Sequence, residues 1–299
     1  MSKKIEQALI LMEKANSLLK EAQEELDQSK SVVSDSGSEV DFLKSNNWPQ
    51  AVNPNLICST ENEADKKERA SGIVELMIEE DLEDKKFLDF GCGEGDTALV
   101  ASTIADISVG YDIVQHSNWE DKVKNSKVVL TSDMNEVEKN GPYDVILLFD
   151  VLDHVGPHDD IDAPQEILEK VNELLKPDGT VYLRCHPWIS RHATHMYHWM
   201  NKAFAHVVYT DEELKEMGVK LGDPVQKVVA PILTYHKWIN LSDFKIENER
   251  TIKEPVEEFF KSPKIADRIR NNTAKYGLHL DFPDFQMSIQ FIDYVLKKK

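Results

Sequence analysis

Residues 86–96 read Lys-Phe-Leu-Asp-Phe-Gly-Cys-Gly-Glu-Gly-Asp. Phe87, Leu88 and Phe90 make a short apolar run of the kind that forms a buried parallel strand, with Asp89 interrupting it near its carboxyl end. Gly91, Gly93 and Gly95 then alternate, and residues compatible with a helix resume over Thr97–Ile104. A strand, a glycine-rich turn and a helix in that order make a ligand cradle, because residues without a Cβ let the backbone turn sharply and approach a ligand. A purely structural turn gives the same local pattern. The dinucleotide fingerprint sets its third glycine three residues after the second. Here that place is Asp96, and Gly95 comes one residue early. Asp89, Glu94 and Asp96 would repel a pyrophosphate. They suit a ligand that brings positive charge, an amine or a sulfonium.

Outward from the loop, Ile107, Val109 and Tyr111 make a second strand ending at Asp112. An acid about twenty residues past the glycines accepts both ribose hydroxyls in nucleoside-binding α/β folds. An Asp at a strand end is also an ordinary turn former. Val128–Leu130 is a third strand, followed by Thr131, Ser132, Asp133 and Met134. Tyr143–Phe149 is a fourth, and it runs into Asp150-Val-Leu-Asp-His-Val155.

These stretches, each after a strand and in this order, resemble the class I S-adenosylmethionine-dependent methyltransferases, whose first motif is an acid followed by Gly-x-Gly-x-Gly. Many small-molecule members carry Asp-Val-Leu-Glu-His-Val where this chain has residues 150–155, so Asp153 stands where Glu is usual. The resemblance implies S-adenosyl-L-methionine as cofactor and S-adenosyl-L-homocysteine as product. It places the cofactor on Asp89, Gly91, Cys92, Gly93 and Gly95, with Asp112 and Ile113 at the ribose. Asp133 would accept from the adenine amino group with Met134 against the ring, although Asp133 equally suits a helix N-cap. Phe149 and Asp150 would lie where the methionine part meets the acceptor.

The implied fold is α/β and Rossmann-like: a seven-stranded, mostly parallel sheet with an antiparallel last strand, plus an N-terminal helix and insertions. Pro164 opens a helix with Ile167, Leu168, Val171, Leu174 and Leu175 on one face. Lys176-Pro-Asp-Gly179 reads as a turn before a fifth strand, Thr180–Cys185. Asp211–Met217, preceded by a capping box of Thr210 and Glu213, and Pro231–Leu241 read as helices. Phe244–Thr251 reads as a strand. Lys264–Asn271, inside an insertion over 254–280, reads as helix. Gln286–Leu296 alternates like a half-exposed strand. The resemblance covers about 62–296 and is specific up to Cys185.

The chain has 299 residues, with 41% apolar content, a net charge of −19 and a pI near 4.9. That suits one large α/β domain with additions and excludes a protein that coats nucleic acid, which would carry a basic footprint. A small nucleotide or an RNA end in a local pocket stays compatible. Cys58, Cys92 and Cys185 fit neither a disulfide framework nor a zinc module, so a reducing, cytoplasmic setting is expected. The Lys- and Glu-rich start does not read as a signal peptide, and no run approaches the ~18 apolar residues of a membrane span.

Residues 1–28 read as an amphipathic helix. Ile5, Ala8, Met12, Ala15, Leu19, Ala22 and Leu26 form a seam of about three heptads. It is either a self-association or partner-docking coiled coil, or a helix lying on its own domain. Residues 29–39 are a Ser-rich linker. Residues 40–59, with Trp48, Pro49 and Pro54, are a pre-domain segment of a kind that often helps close the site in similar methyltransferases. The methyltransferase domain is expected over 60–299, opening on a capping box of Thr60 and Glu63. Ala70, Ile73, Val74, Met77 and Ile78 make the apolar face of its first helix.

Methyl transfer from a sulfonium is an in-line displacement that depends mainly on alignment. A protonated oxygen or nitrogen acceptor also needs a general base, and histidine suits neutral pH. His154, after the fourth strand, and His192 and His195, after the fifth, are the candidates. Each has an ordinary structural alternative, as a helix-start hydrogen bonder or part of one polar helix face. His186 with His192 and His195, or His158 with Asp159 and Asp160, are conceivable metal ligands. Sequence shows neither convergence nor supporting partners, so no metal is assigned. Trp188, Tyr197, Trp199 and Tyr235 are candidate walls of an acceptor pocket under the insertion over 186–232, or simply a small core. Arg184 and Arg191 are candidates for an acceptor carboxylate or phosphate, or surface ion pairs.

The expected activity is transfer of a methyl group to an oxygen or nitrogen of a small acceptor. The alternative is a non-catalytic methyltransferase-fold module docked into an assembly through residues 1–28. The second half also resembles methyltransferase-like proteins of tailed phages, which bears on that alternative. A nicotinamide oxidoreductase is disfavoured by the glycine spacing and the acidity of the loop.

Overall fold

The computed structural model describes residues 50–52, 62–124, 126–155, 162–220, 230–256, 263–274 and 287–299. All of them fall in the unit Gln50–Lys299. The helix expected over 1–28, the linker over 29–39, Thr60, and His158 with Asp159 and Asp160 lie outside the described residues.

The elements run α1 (Glu63–Leu76), β1 (Lys86–Phe90), α2 (Asp96–Ala101), β2 (Ile107–Tyr111), α3 (Trp119–Lys124), β3 (Val129–Thr131), α4 (Met134–Asn140) and β4 (Tyr143–Phe149). A 3-10 turn (Leu152–His154), α5 (Ala163–Leu174) and β5 (Leu175–Cys185) follow. Then come a 3-10 turn (Met196–His198), α6 (Ala205–Val208), α7 (Asp211–Glu216), α8 (Ile232–Leu241), β6 (Phe244–Lys253), α9 (Pro263–Ala274) and β7 (Ile289–Lys298). The strands form one seven-stranded sheet in the order β3-β2-β1-β4-β5-β7-β6. β1 to β5 pair in parallel, and β7 is antiparallel to both β5 and β6. The chain reverses direction across the sheet between β1 and β4, where an open α/β sheet binds its ligand beyond the carboxyl ends of its strands.

Period-two alternation sorts the central strands onto two cores. Leu88, Ile146, Leu148, Val181 and Leu183 pack on one face with Leu168, Val171 and Leu174 of α5 and Tyr235 and Trp238 of α8. Phe87, Val145, Leu147 and Tyr182 pack on the other with Ile73, Val74 and Met77 at the apolar face of α1. Both faces are covered, which is why these strands are near-continuous apolar runs.

Three local expectations are corrected. α1 starts at Glu63 on a capping box of Asn62 and Asp65, not of Thr60 and Glu63. Asn62 Oδ1 accepts from two free N–H groups at 2.9 and 3.0 Å. Lys176-Pro-Asp-Gly179 does not separate α5 from the strand. Leu175 already pairs with Tyr143, and pairing resumes at Thr180 opposite Val145, so the four residues form an irregularity inside β5. Asp144 fixes it by accepting from Lys176 Nζ at 2.7 Å and from Lys86 N at 2.8 Å. β7 is not half-exposed. It lies between β5 and β6, and Gln290 and Asp293 are buried with the apolar residues. The solvent-facing strand is β6, at the sheet's edge. The capping box of Thr210 and Glu213 on α7 is present as expected.

Candidate active site

The loop after β1 is tied to β2. Gly91 N and Cys92 N both donate to Tyr111 O, at 2.7 and 2.9 Å. Gly91 has φ +82, and a Cβ there would lie 2.5 Å from Val151 Cγ2. Gly95 also has φ +82, and a Cβ would lie 2.6 Å from Leu130 Cδ2. Conformation and close approach together require glycine at both. Gly93 instead faces open space. Its N–H donates to Asp112 Oδ2 at 2.9 Å, and its carbonyl accepts from Trp119 Nε1 at 3.0 Å.

The electrostatics of the loop differ from the expectation. Glu94 accepts from Lys66 Nζ at 2.8 Å and Asn118 Nδ2 at 2.7 Å, and Asp96 pairs with Lys122 Nζ at 2.6 Å. The Lys66 hydrogen bond holds the Glu94 carboxyl below its usual range. Two of the three carboxylates are thus already matched by lysines from α1 and α3. Asp89 is the third. Burial pushes its carboxyl up to about 7. Loop acidity therefore says less about ligand charge than the sequence alone implies. Burial also raises the Cys92 thiol, so this cysteine is an inert wall.

At the end of β2, Asp112 Oδ1 accepts from Val114 N at 3.0 Å while Oδ2 holds Gly93 N. Each oxygen keeps a further lone pair for a hydroxyl donor. Ile113 follows with 81% of its surface exposed. Asp133 caps α4, with Oδ1 accepting from Asn135 N and Nδ2 at 3.0 and 2.8 Å. Met134 lies half-buried against the core. The turn-forming role of Asp112 and the capping role of Asp133 are both realised, and both side chains stay partly open to solvent.

At the end of β4, Asp150 adopts φ +54, a rare conformation for a residue with a side chain. Its N–H donates to Arg184 O at 3.1 Å. Burial pushes the Asp150 carboxyl up to about 7, against the pull of Arg184. The Arg184 guanidinium is engaged in two bonds to Asp293, Nε–Oδ1 at 2.6 Å and Nη2–Oδ2 at 2.8 Å. It also sits 5.0 Å from the Phe149 ring centroid and 5.2 Å from that of Phe291. Arg184 is thus a buried structural pair rather than a hand for an acceptor.

The three candidate histidines come together here, joined by His186, read from sequence as a conceivable metal ligand, and by Asp153, for which no site role was expected. His186 leaves β5 and is 3% exposed. Its Nε2 lies 3.7 Å from Asp150 Oδ1 and 3.9 Å from Asp153 Oδ2. His154 Nε2 and His195 Nε2 lie 3.7 and 4.0 Å from the same Asp153 oxygen. His154 and His195 ring centroids are 4.6 Å apart, and His192 stands 4.8 Å from His186. Burial depresses His192 to about 4 and His186 well below its usual value, so both are neutral imidazoles at neutral pH.

A family model described as a methyltransferase domain matches residues 62–222, more than half of the chain. The chain belongs to the methyltransferase-domain family. Its fold is that of the class I S-adenosylmethionine-dependent enzymes, as the sheet order requires. The PH0226 protein from Pyrococcus horikoshii OT3 is similar in fold, at 16% identity over 83% of this chain and 97% of that one, with a TM-score of 0.51. A putative S-adenosylmethionine-dependent methyltransferase from Listeria monocytogenes aligns at 16% identity over 80% and 100%, with a TM-score of 0.46. The 1,6-didemethyltoxoflavin-N1-methyltransferase of Burkholderia thailandensis aligns at 13% identity over 79% and 80%, with a TM-score of 0.45. A search of curated proteins gave no match.

The stretch after β5 of this methyltransferase domain folds over the carboxyl edge of the sheet. Two of its proposed pocket walls are core. Trp188 is buried and its carbonyl lies 2.6 Å from His206 Nε2. Tyr235 is fully buried and donates from its hydroxyl to His186 O at 2.9 Å. Tyr197 remains by the cluster, 5.6 Å from the His195 ring and 6.2 Å from that of His192. Trp199 is half-buried. Arg191 donates from Nε and Nη2 to Gln50 O at 3.0 and 2.6 Å, and from Nη1 to Glu254 at 3.3 Å. Val52 and Asn201 exchange two hydrogen bonds at 3.0 Å each. Sequence reading missed Trp119, Lys66 and Lys122 as supports of the loop. A tryptophan or lysine on a short surface helix carries no signal of what it reaches.

Proposed function

We propose that this domain transfers the methyl group of S-adenosyl-L-methionine to an oxygen or nitrogen of a small acceptor bound beside the histidine cluster. The observation that carries the proposal is the common edge. Asp89, Asp112, Asp133 and Asp150 all lie within two residues of the carboxyl ends of four strands adjacent in the sheet, β1, β2, β3 and β4, and the histidines cluster where β4 and β5 end. Three features suit a nucleoside sulfonium: the open space at Gly93, the spare lone pairs of Asp112, and the exposed apolar side chain of Ile113 beside it. Asp112 would accept the ribose hydroxyls, Ile113 and Met134 would flank the adenine, and Asp133 would accept its amino group through the carboxylate oxygen not used in capping.

When bound, the cofactor supplies a methyl carbon already activated by the sulfonium charge. The domain's own contribution is alignment and exclusion of water. Phe149 and Asp150 would border the sulfur, and the stretch after β5 would close over the acceptor. One of His154, His192 and His195 would take the acceptor's proton as the new bond forms. His154 is more open than His195, with 38% of its side chain exposed against 11%. Calorimetry with S-adenosylhomocysteine tests the cofactor site, and micromolar binding is expected. No heat at millimolar ligand overturns the proposal. A tritiated-methyl transfer screen over fractionated small molecules, RNA and protein then identifies the acceptor, with label expected in the small-molecule fraction.

A further inference from the structure

Asp153 Oδ2 faces three imidazole nitrogens at nearly one radius: His154 Nε2 at 3.7 Å, His186 Nε2 at 3.9 Å and His195 Nε2 at 4.0 Å. Asp150 Oδ1 adds a fourth short separation, 3.7 Å to His186 Nε2. All four exceed the ~3.2 Å limit of an N–H···O hydrogen bond. They fall inside the range for two ligands of one cation. With bonds near 2.1 Å, cis donors sit about 3 Å apart and trans donors about 4.2 Å.

The donor atoms of Asp153, His154 and His195 all lie within 4.8 Å of one another, as do those of Asp150, Asp153 and His186. Asp153 is common to both sets. His186 supplies an independent sign. It is 3% exposed, its Nε2 points at both carboxylates, and the Asp150 Oδ1 it faces is buried with no hydrogen bond of standard length and angle. Asp153 and His186 close the cluster on its inner side. His154, with 38% of its side chain exposed, opens it to solvent, whereas Asp150 Oδ1 is buried.

We infer that Asp153, His154 and His195 form a binding site for one divalent transition cation at the mouth of the acceptor site, with Asp150 and His186 bordering the Asp153 carboxylate. Mixed imidazole and carboxylate donors favour an ion of the Mn²⁺, Fe²⁺, Co²⁺ or Zn²⁺ type over Ca²⁺, which takes oxygen ligands alone. The exposed edge of His154 leaves room for an external ligand. An acceptor that presents an oxygen would complete the coordination, which narrows the substrate class to hydroxyl- or carboxyl-bearing molecules and leaves His192, outside the ligand set, as the candidate base. This last step rests on the methyltransferase reading above, whereas the binding of the ion does not.

Mn²⁺ titration of the full chain, followed by loss of the free-ion electron paramagnetic resonance signal, tests the site, with Zn²⁺ retention after dialysis as a second probe. One ion per chain is expected. Asp153→Asn keeps the shape and removes the shared ligand, and it should weaken binding at least about tenfold. His154→Gln alters a half-exposed side chain, so it leaves the fold intact and should also weaken binding severalfold. Circular dichroism melts confirm folding, and if Asp153→Asn fails to fold, His154→Gln decides. Less than about 0.1 ion per chain for both metals, or binding unchanged in the folded variants, overturns the inference. S-adenosylhomocysteine calorimetry on the same samples separates the two proposals. A chain that binds the nucleoside without metal loses only the cation site, and one that binds metal without the nucleoside loses only the methyl-transfer reading.

Discussion

The loop after β1 and the stretch after β5 lie on the same edge of one sheet, yet they are held by different physics. The loop is fixed by backbone: two N–H groups on Tyr111 O, a third on Asp112, and glycines in left-handed conformations at 91, 93 and 95. The stretch after β5 is fixed by side chains reaching far along the sequence, as Asn201 does to Val52 and Arg191 to Gln50. Its described left-handed residues are His195, Phe204 and Gly218, of which the bulky Phe204 is the outlier for that conformation. Backbone-held structure leaves a trace in residue type. Side-chain-held structure leaves almost none. It follows that the loop should respond to substitution as a binding element, and the later stretch as a specificity element.

The sharpest break in this division is Gly91. A Cβ there would meet Val151, which immediately precedes the Leu152–His154 turn, so the loop and the histidine cluster share one contact. Gly91→Ala should destabilise the domain by about 2 kcal/mol or more and abolish S-adenosylhomocysteine binding, since it combines a clash with strain at φ +82. The double variant with Val151→Ala should regain part of the stability, because only the clash is relieved. Denaturant melts and calorimetry read both. Equal losses in the single and double variants would mean that the two regions are independent.

Asp112→Ala comes next. It removes the acceptor for both Gly93 N and Val114 N together with the proposed ribose contact. Affinity for S-adenosylhomocysteine should fall at least about tenfold while stability falls by only about 1 kcal/mol. An unchanged affinity would leave Asp112 as a loop support alone.

The parallel core and the glycine loop were legible because each rests on a local rule. Phe87, Leu88 and Phe90 alternate onto two buried faces, and Gly91 and Gly95 meet close neighbours. The charge of the loop was misjudged for a different reason. Lys66 lies 28 residues before Glu94, and Lys122 26 residues after Asp96, and no local rule links them. The histidines at 154, 192 and 195 were legible as candidates by residue type. That Asp153 and His186 would join them depends on where β4 and β5 end relative to each other, a register that only the folded sheet fixes. β7 was misread because its alternation of Met287, Ile289 and Phe291 with polar residues suggests a wet face. The polar partners are instead buried: Gln290 accepts from Arg191 N at 3.1 Å, and Asp293 receives Arg184.

Asp89 separates burial from binding within the loop. The folded carboxyl holds its proton up to about 7, and the unfolded one only to about 4. The folded state therefore binds more protons between those values, and stability falls as pH rises through that window. Asp89→Asn does not titrate there. Its stability relative to the parent chain should rise by up to about 2 kcal/mol from pH 5 to pH 8, read from paired denaturant melts. His186 and His192 act in the opposite sense, since depressed imidazoles cost stability as pH falls below about 6.5. They are present in both proteins and cancel in the difference. A pH-independent difference would show that Asp89 is ionised in the fold.

The smallest effect is expected at Asn201, and it bears most directly on how the later stretch is held. Its side chain accepts from Val52 N and donates to Val52 O, both at 3.0 Å, which is the pairing a neighbouring strand would provide. Asn201→Ala removes both bonds where the groups are only partly buried, so water can replace them and the loss should be about 1 kcal/mol. Little of that should appear in global melts, because neither partner is part of the sheet. It should appear as faster amide exchange at Val52, by about fivefold, with S-adenosylhomocysteine affinity unchanged. Turnover of an identified acceptor should fall if the pre-domain segment closes the acceptor side. Exchange that stays slow would instead mean that Arg191, with two bonds to Gln50 O, holds the segment alone. In that case Arg191→Ala, rather than Asn201→Ala, would be the change that frees it.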